Sequence, residues 1–272
     1  MLADSASKGS VNEEALMSAT GKLAGKRIAV LAADGVEGAE LDAALAALKD
    51  AGAQSALVAL RPGRIRSMNV HQPSDLVKVD SKVENASAAD YDGLLIPGGY
   101  IAPDLLRQSV QAREFVRAFD TAGKPIAAMS HGVLVLVSTG LASGRILTSW
   151  PGVRDDLVNA GATWCNREAV RDGRILTSRT PQDCAAFLRE LLPFLAGEPA
   201  ADPAVTRADS DPPQQAPSEL PDQSLRWLAA PSLGAMLSLA IVGVGVVAAN
   251  RSLRKRGSKE AGAGTGEAVQ DS

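Results

Sequence analysis

Between Lys26 and about Phe194, short unbroken apolar runs alternate with longer segments in which apolar residues recur every three or four positions. "RIAVLAA" is such a run, closed by Asp34-Gly35, and reads as a buried strand. In the following "EGAELDAALAALKDAGA", Leu41, Ala44, Leu45 and Leu48 share one helical face and Gly52 supplies a stop. "SALVAL" predicts a second strand, "RIRSMNV" and "LVKVD" shorter ones, and "YDGLLIPGGY" a strand that ends in a glycine pair. Helices around 103–107 and 110–122 lead into an apolar strand at 126–129. An abrupt turn at Ser130-His131-Gly132 follows, then a helix to Leu141, a strand in "RILTS" and a helix within "GVRDDLVNAGA". "TWCNREAVRDGRILTS" reads as a hairpin turning at Asp172-Gly173. A closing helix, "PQDCAAFLRELLPFL", carries Pro181 in its first turn.

This alternation predicts an α/β fold, a mostly parallel sheet covered by helices on both faces. About 170 residues are ample for one core. The chain divides into a flexible lead-in at 1–25, the α/β domain at 26–196, a Pro/Ala/Asp-rich linker at 197–226, an uncharged apolar segment at 227–250 and a basic, then polar tail at 251–272. The lead-in has no continuous apolar stretch, and Glu13 and Glu14 interrupt the place where a secretory signal would need one. The segment bounded by Trp227 and Asn250 meets the roughly 20-residue length of a transmembrane helix. Pro231, Gly234, Gly243 and Gly245 suit a membrane better than an isolated soluble helix. Trp227 and the cluster Arg251, Arg254, Lys255, Arg256 and Lys259 are interface anchors, and a single-pass C-terminal anchor is the expectation. Missing an export signal, the globular domain is expected in the cytoplasm; the basic tail asks for the same side.

The net charge of −3 gives no electrostatic reason to expect nucleic acid as a partner. Two cysteines, Cys165 and Cys184, form neither a C-x-x-C pair nor a disulfide framework, and each reads as small apolar packing. Two histidines, His71 and His131, are too few for a His-rich metal site, and neither metal nor cofactor is expected. His71 reads as a surface loop residue, and Asp155 and Asp156 as a solvated helix face beside Arg154.

A buried strand running through an abrupt turn into a helix is how many α/β enzymes display a nucleophile, which puts Ser130 at the centre of the candidate site. Here the chain resembles the PfpI-like branch of the DJ-1/PfpI superfamily. The resemblance is carried by "DGVEGAEL", "DYDGLLIPGGY", "GKPIAAMSHG", "LTSWPGVRDDLVNAGATW" and "ILTSRTPQD", in order, across roughly 26–195. It implies a flavodoxin-like three-layer sandwich that assembles as a dimer or larger ring. It also implies a reactive residue at the strand-to-helix turn followed by His and Gly. By position Glu37 matches the family's carboxylate, His131 its histidine, and Gly98, Gly99 and Gly132 the backbone loops beside the reactive atom. Ser130 falls where the family has cysteine, and Val133 where a proline is frequent.

Serine changes the chemistry. A thiol starts near a pKa of about 8.5 and is lowered further at a helix N-terminus. A helix dipole worth roughly 0.3–1 kcal/mol will not ionise a hydroxyl, so serine needs a positioned base and a third group to orient it. Three readings follow: a membrane-tethered binding, oligomerising or regulatory module without cysteine-dependent activity; a weak hydrolase using Ser130, His131 and Glu37; or residual glyoxalase-like or deglycase-like acid–base chemistry through Glu37 and His131. A homo-oligomer is expected, and the small-molecule or peptide ligand is open.

Overall fold

The computed structural model describes residues 21–200. The expected linker beyond Ala200, the membrane-spanning segment and the tail lie outside the described residues, as does most of the lead-in. Among the described residues no helix is long and apolar enough to cross a membrane.

The chain runs β1 (Arg27–Leu31), β2 (Val36–Glu37), α1 (Gly38–Asp50), β3 (Gln54–Ala59), β4 (Arg64–Asn69), β5 (Gln72–Lys78), β6 (Ser81–Lys82) and β7 (Gly93–Ile96). It continues with α2 (Ala102–Gln108), α3 (Val110–Thr121), β8 (Ile126–Met129), α4 (Val133–Thr139), β9 (Ile146–Leu147) and α5 (Arg154–Asn159). It closes with β10 (Thr163–Trp164), β11 (Ala169–Asp172), β12 (Ile175–Ser178) and α6 (Cys184–Ala196). The main sheet has the order β11-β12-β8-β7-β1-β3-β6. Every pairing in it is parallel except β11 against β12. Helix α1 packs with α6, and α2 and α3 pack with α4. These two groups form the helical layers of the expected flavodoxin-like sandwich. The central strands are buried on both faces, which is why "RIAVL", "GLLI" and "IAAM" read as continuous apolar runs rather than alternating ones.

The elements end where local chemistry stops them. Gly52, at φ +83°, closes α1 with its N–H on the Lys49 carbonyl. Ser109 opens α3, its Oγ accepting the Ala112 N–H at 3.2 Å. One expectation fails: Thr163 and Trp164 do not join the Asp172-Gly173 hairpin but pair in parallel with Ile146 and Leu147 in a separate two-stranded sheet. The hairpin begins only at Ala169. "RIRSMNV" and "LVKVD" form an antiparallel hairpin that joins β2 in a third sheet rather than the main one.

Since β1 lies between β3 and β7, the chain crosses to one side of β1 and then to the other. In open α/β sheets the crevice at the carboxyl ends of the strands at such a switch is the usual binding place. The segments leaving β1, β7 and β8 carry Glu37, Gly98-Gly99 and Ser130 to that end.

Phe119 is fully buried and meets Phe115 edge-on at 5.1 Å. Phe119→Ala should destabilise the domain by about 3–5 kcal/mol, read as a lowered urea midpoint with an unchanged denaturant slope.

Candidate functional site

Strand β8 delivers Ser130 into a single 3-10 turn, Ser130–Gly132, that runs straight into α4. Ser130 sits at φ +52°, in the left-handed region that favours glycine. A non-glycine residue there costs about 1–3 kcal/mol and persists only where its surroundings over-determine it. The surroundings are visible: a Cβ added to Gly132 would lie 2.6 Å from the Ile96 carbonyl oxygen and 2.8 Å from that of Pro97. The turn is therefore clamped against the end of β7, with Ser130 aimed at the pocket.

Ser130, His131, Glu37 and Gly99 line one cavity of about 130 Å³, together with Tyr100 and Trp150. The sequence-predicted residues are thus brought together. Ser130 Oγ is 3.3 Å from His131 Nδ1. Burial lowers the His131 pKa to about 4, so its ring is neutral across the physiological range. Among the described residues no carboxylate is hydrogen-bonded to it. It stands between aromatic rings, stacked on Trp150 at 5.3 Å and tilted against Tyr100 at 4.6 Å. A base of such low proton affinity, lacking an orienting partner, departs from the Ser-His-acid pattern.

Glu37 is buried and its pKa is raised by that burial. Although it stands at the N-cap position of α1, its carboxylate makes no capping bond and takes the N–H of Val70 at 3.0 Å. Val70, at φ +56°, is the other non-glycine residue in the left-handed region among the described residues. It forms the tip between β4 and β5 with His71, whose ring stacks on Tyr100 at 5.0 Å. His71 is accordingly part of the rim of the site rather than a detached surface residue.

Sequence reasoning missed Glu40. This carboxyl is fully buried, and its Oε2 accepts the Gly98 N–H at 2.7 Å. Among the described residues its Oε1 has no hydrogen-bond partner. Burial raises its pKa to about 8, with the Glu37 charge adding to the shift and the Gly98 N–H opposing it. Glu40 lies directly behind Ser130: a Cβ on Gly98 would be 2.7 Å from both Glu40 Oε2 and Ser130 Cβ. Since its N–H is engaged by Glu40, Gly98 drops out of the candidate oxyanion donors. Gly99, at φ +110°, has no room for a side chain against the Gly35 carbonyl, and it brings the loop down beside the pocket.

The remaining candidates behave as spacing suggested or come closer than expected. Asp155 is solvated and pairs with Arg154 at 3.2 Å. Cys165 is buried. Cys184, half-buried at the start of α6, is near enough to Glu40 to feel its charge; burial first and that charge second push its thiol to about 11, which keeps it an unreactive packing group. No cluster of three or more His, Cys, Asp or Glu side chains suited to a metal occurs among the described residues.

The family model of the DJ-1/PfpI family matches residues 26–193. The protein YraA of Bacillus subtilis is 40% identical over 170 residues, covering 62% of this chain and 98% of that protein. Deglycase PfpI of Pyrococcus furiosus is 36% identical over 169 residues, covering 62% of this chain and 99% of the deglycase. The crystal structure of Drosophila melanogaster DJ-1beta superposes with a TM-score of 0.59 at 26% identity, covering 64% of this chain and 91% of that one.

The Glu40 environment makes a prediction about stability. With a folded pKa of about 8 against an ordinary 4.5, the native state holds a proton that the unfolded chain releases, so stability falls as pH rises through that interval. Glu40→Gln should abolish this slope. It should melt a few degrees above the parent at pH values over about 8 and level with it below about 4.5, read by thermal unfolding across pH.

Proposed function

Since the chain belongs to the DJ-1/PfpI family, we propose that its pocket processes small carbonyl compounds by hydrolytic or deglycase-type chemistry centred on Ser130. The observation that carries this reading is the φ of +52° at Ser130. An inert packing turn gives no reason to hold a serine in a strained conformation with its hydroxyl aimed into a cavity. The name deglycase on the Pyrococcus furiosus relative supports the substrate class, and a cavity of about 130 Å³ suits a ligand of a few heavy atoms.

The resemblance puts a cysteine where Ser130 stands, so the thiolate route is closed and a base must act during attack. Glu40 is the better base of the two neighbours: its pKa of about 8 makes its carboxylate far more basic than His131, whose pKa is about 4. At neutral pH about one Glu40 in ten is ionised, which is consistent with a slow enzyme. In the proposed step Ser130 Oγ attacks the carbonyl carbon, the new C–O bond forms, and the π pair moves onto the carbonyl oxygen. The hydroxyl proton passes through one intervening water to Glu40 Oε1, which makes no direct hydrogen bond to Ser130 in the resting site. When the adduct collapses, the protonated Glu40 returns that proton to the departing amine or alcohol, and an acyl group is left on Ser130. A water that gives its proton to Glu40 then attacks the acyl carbon. The bond to Ser130 Oγ breaks, and Glu40 returns the proton to that oxygen as the acid departs. Tyr100 and Trp150 line the pocket beside the substrate, and Glu37 keeps the Val70 tip in place.

Two further parts of the proposal rest on sequence. Residues 227–250 tether the domain to a membrane, supported by their uncharged apolar run and the basic cluster after Asn250. A homo-oligomer is supported by the resemblance and by the exposed apolar side chains Val70, Tyr100 and Ile101 beside the pocket; light scattering of the purified protein gives its size.

Ser130→Ala should abolish turnover of methylglyoxal-derived adducts and small esters while leaving the fold intact by circular dichroism. Equal turnover in parent and variant would overturn the covalent step in favour of acid–base chemistry without Ser130, and no turnover in either would leave a binding module as the reading. Ser130→Cys should give an alkylatable thiol with a pKa below the ordinary value of about 8.5, measured from the pH dependence of iodoacetamide labelling. Deleting residues 227–250 should move the protein from the carbonate-resistant membrane fraction to the supernatant.

A further inference from the structure

A second cavity, about 560 Å³ in volume, shares no lining residue with the site around Ser130. Strand β11, the segment before it, the segment after β12 and one face of α6 enclose it. Its walls carry four guanidinium groups, Arg167, Arg171, Arg179 and Arg189, against two carboxylates, Glu168 and Glu190. We infer that this cavity binds the phosphate group of a small phosphorylated molecule.

The arrangement of the arginines supports this. Arg179 is fixed by a two-pronged bond to Asp183 at 2.9 and 3.0 Å, and reaches Asn166 Oδ1 at 2.8 Å. Its charge is spent inside the protein, and it serves as wall. Arg171 differs. It donates to the Glu198 backbone carbonyl at 2.8 Å and lies 4.9 Å from the centre of the Phe194 ring. Both partners hold the guanidinium in place without neutralising it. Arg189 projects from the exposed face of α6 into the same space, with no ion pair among the described residues. Two cationic forks from different elements thus face one cavity, one of them pre-positioned. That is the geometry in which arginine recognises a phosphate bidentately.

The volume falls within the range of small-ligand sites, roughly 300–1,000 Å³. A nucleic-acid backbone is the poorer occupant, because a net charge of −3 repels an extended polyanion. Glu168 and Glu190 sit in the same wall. They would meet hydroxyl or amino groups on the remainder of the ligand and turn away a molecule that is anionic throughout.

Isothermal titration of the full-length protein with glycerol 3-phosphate, a single phosphate on a hydroxyl-bearing remainder, at low ionic strength tests the assignment. The expected result is one saturable site of sub-millimolar affinity. Arg189→Glu, an exposed change that leaves the fold alone, should weaken binding at least about tenfold. Arg64→Glu makes the same change of charge at an exposed position that opens β4 and should leave binding unaltered. Absence of saturable binding, or equal weakening by the two variants, would overturn the proposal. The titration reads no turnover, so its outcome is independent of whether Ser130 is reactive.

Discussion

A buried carboxyl group resting on one backbone N–H organises this site. The bond from Gly98 to Glu40 ties α1 to the loop after β7, and the turn after β8 packs against the same point. Burying an ionised carboxylate would be expensive, and an apolar residue would leave the Gly98 N–H without an acceptor. A carboxyl with a raised pKa meets both demands, since it stays mostly neutral and still accepts. The same requirement fixes Gly98 as glycine, because a methyl group there would collide with the carboxyl oxygen and with the serine side chain. The electrostatics of the pocket and the steric limits of its floor are two expressions of one contact.

Against that background the neighbouring histidine acquires a different meaning. A hydroxyl 3.3 Å from an imidazole invites comparison with a serine hydrolase, but the imidazole is held by ring stacking where such an enzyme uses a carboxylate. Stacking fixes the ring plane without supplying a carboxylate, and burial disfavours the charged ring. His131 is therefore a neutral, shape-giving wall of the pocket, and the proton transfers we propose are assigned to Glu40 instead.

Much of this was legible in the chain. The continuous apolar runs mark a sheet buried on both faces, and "GGY" and "SHG" mark the two turns that meet at the pocket. Glu40 could have been read as well. It lies four residues before Ala44 and three after Glu37, on the stripe with Ala44, Ala47 and Leu48 that α1 buries. An acid on a buried stripe should be expected to have a purpose, and its neighbour in the motif drew the attention instead. What no local pattern could give are the contacts made across the fold: His71 on Tyr100, Thr163 and Trp164 drawn into pairing with β9, and Cys184 brought within reach of Glu40. These depend on which elements the sheet order places side by side.

The clamp on Gly132 has a consequence for how such a protein changes over time. The carbonyls of Ile96 and Pro97 fix the backbone of the turn without touching the atom that Ser130 presents. A substitution at position 130 therefore alters the atom offered to the chamber while the clamp on the backbone of the turn stays in place.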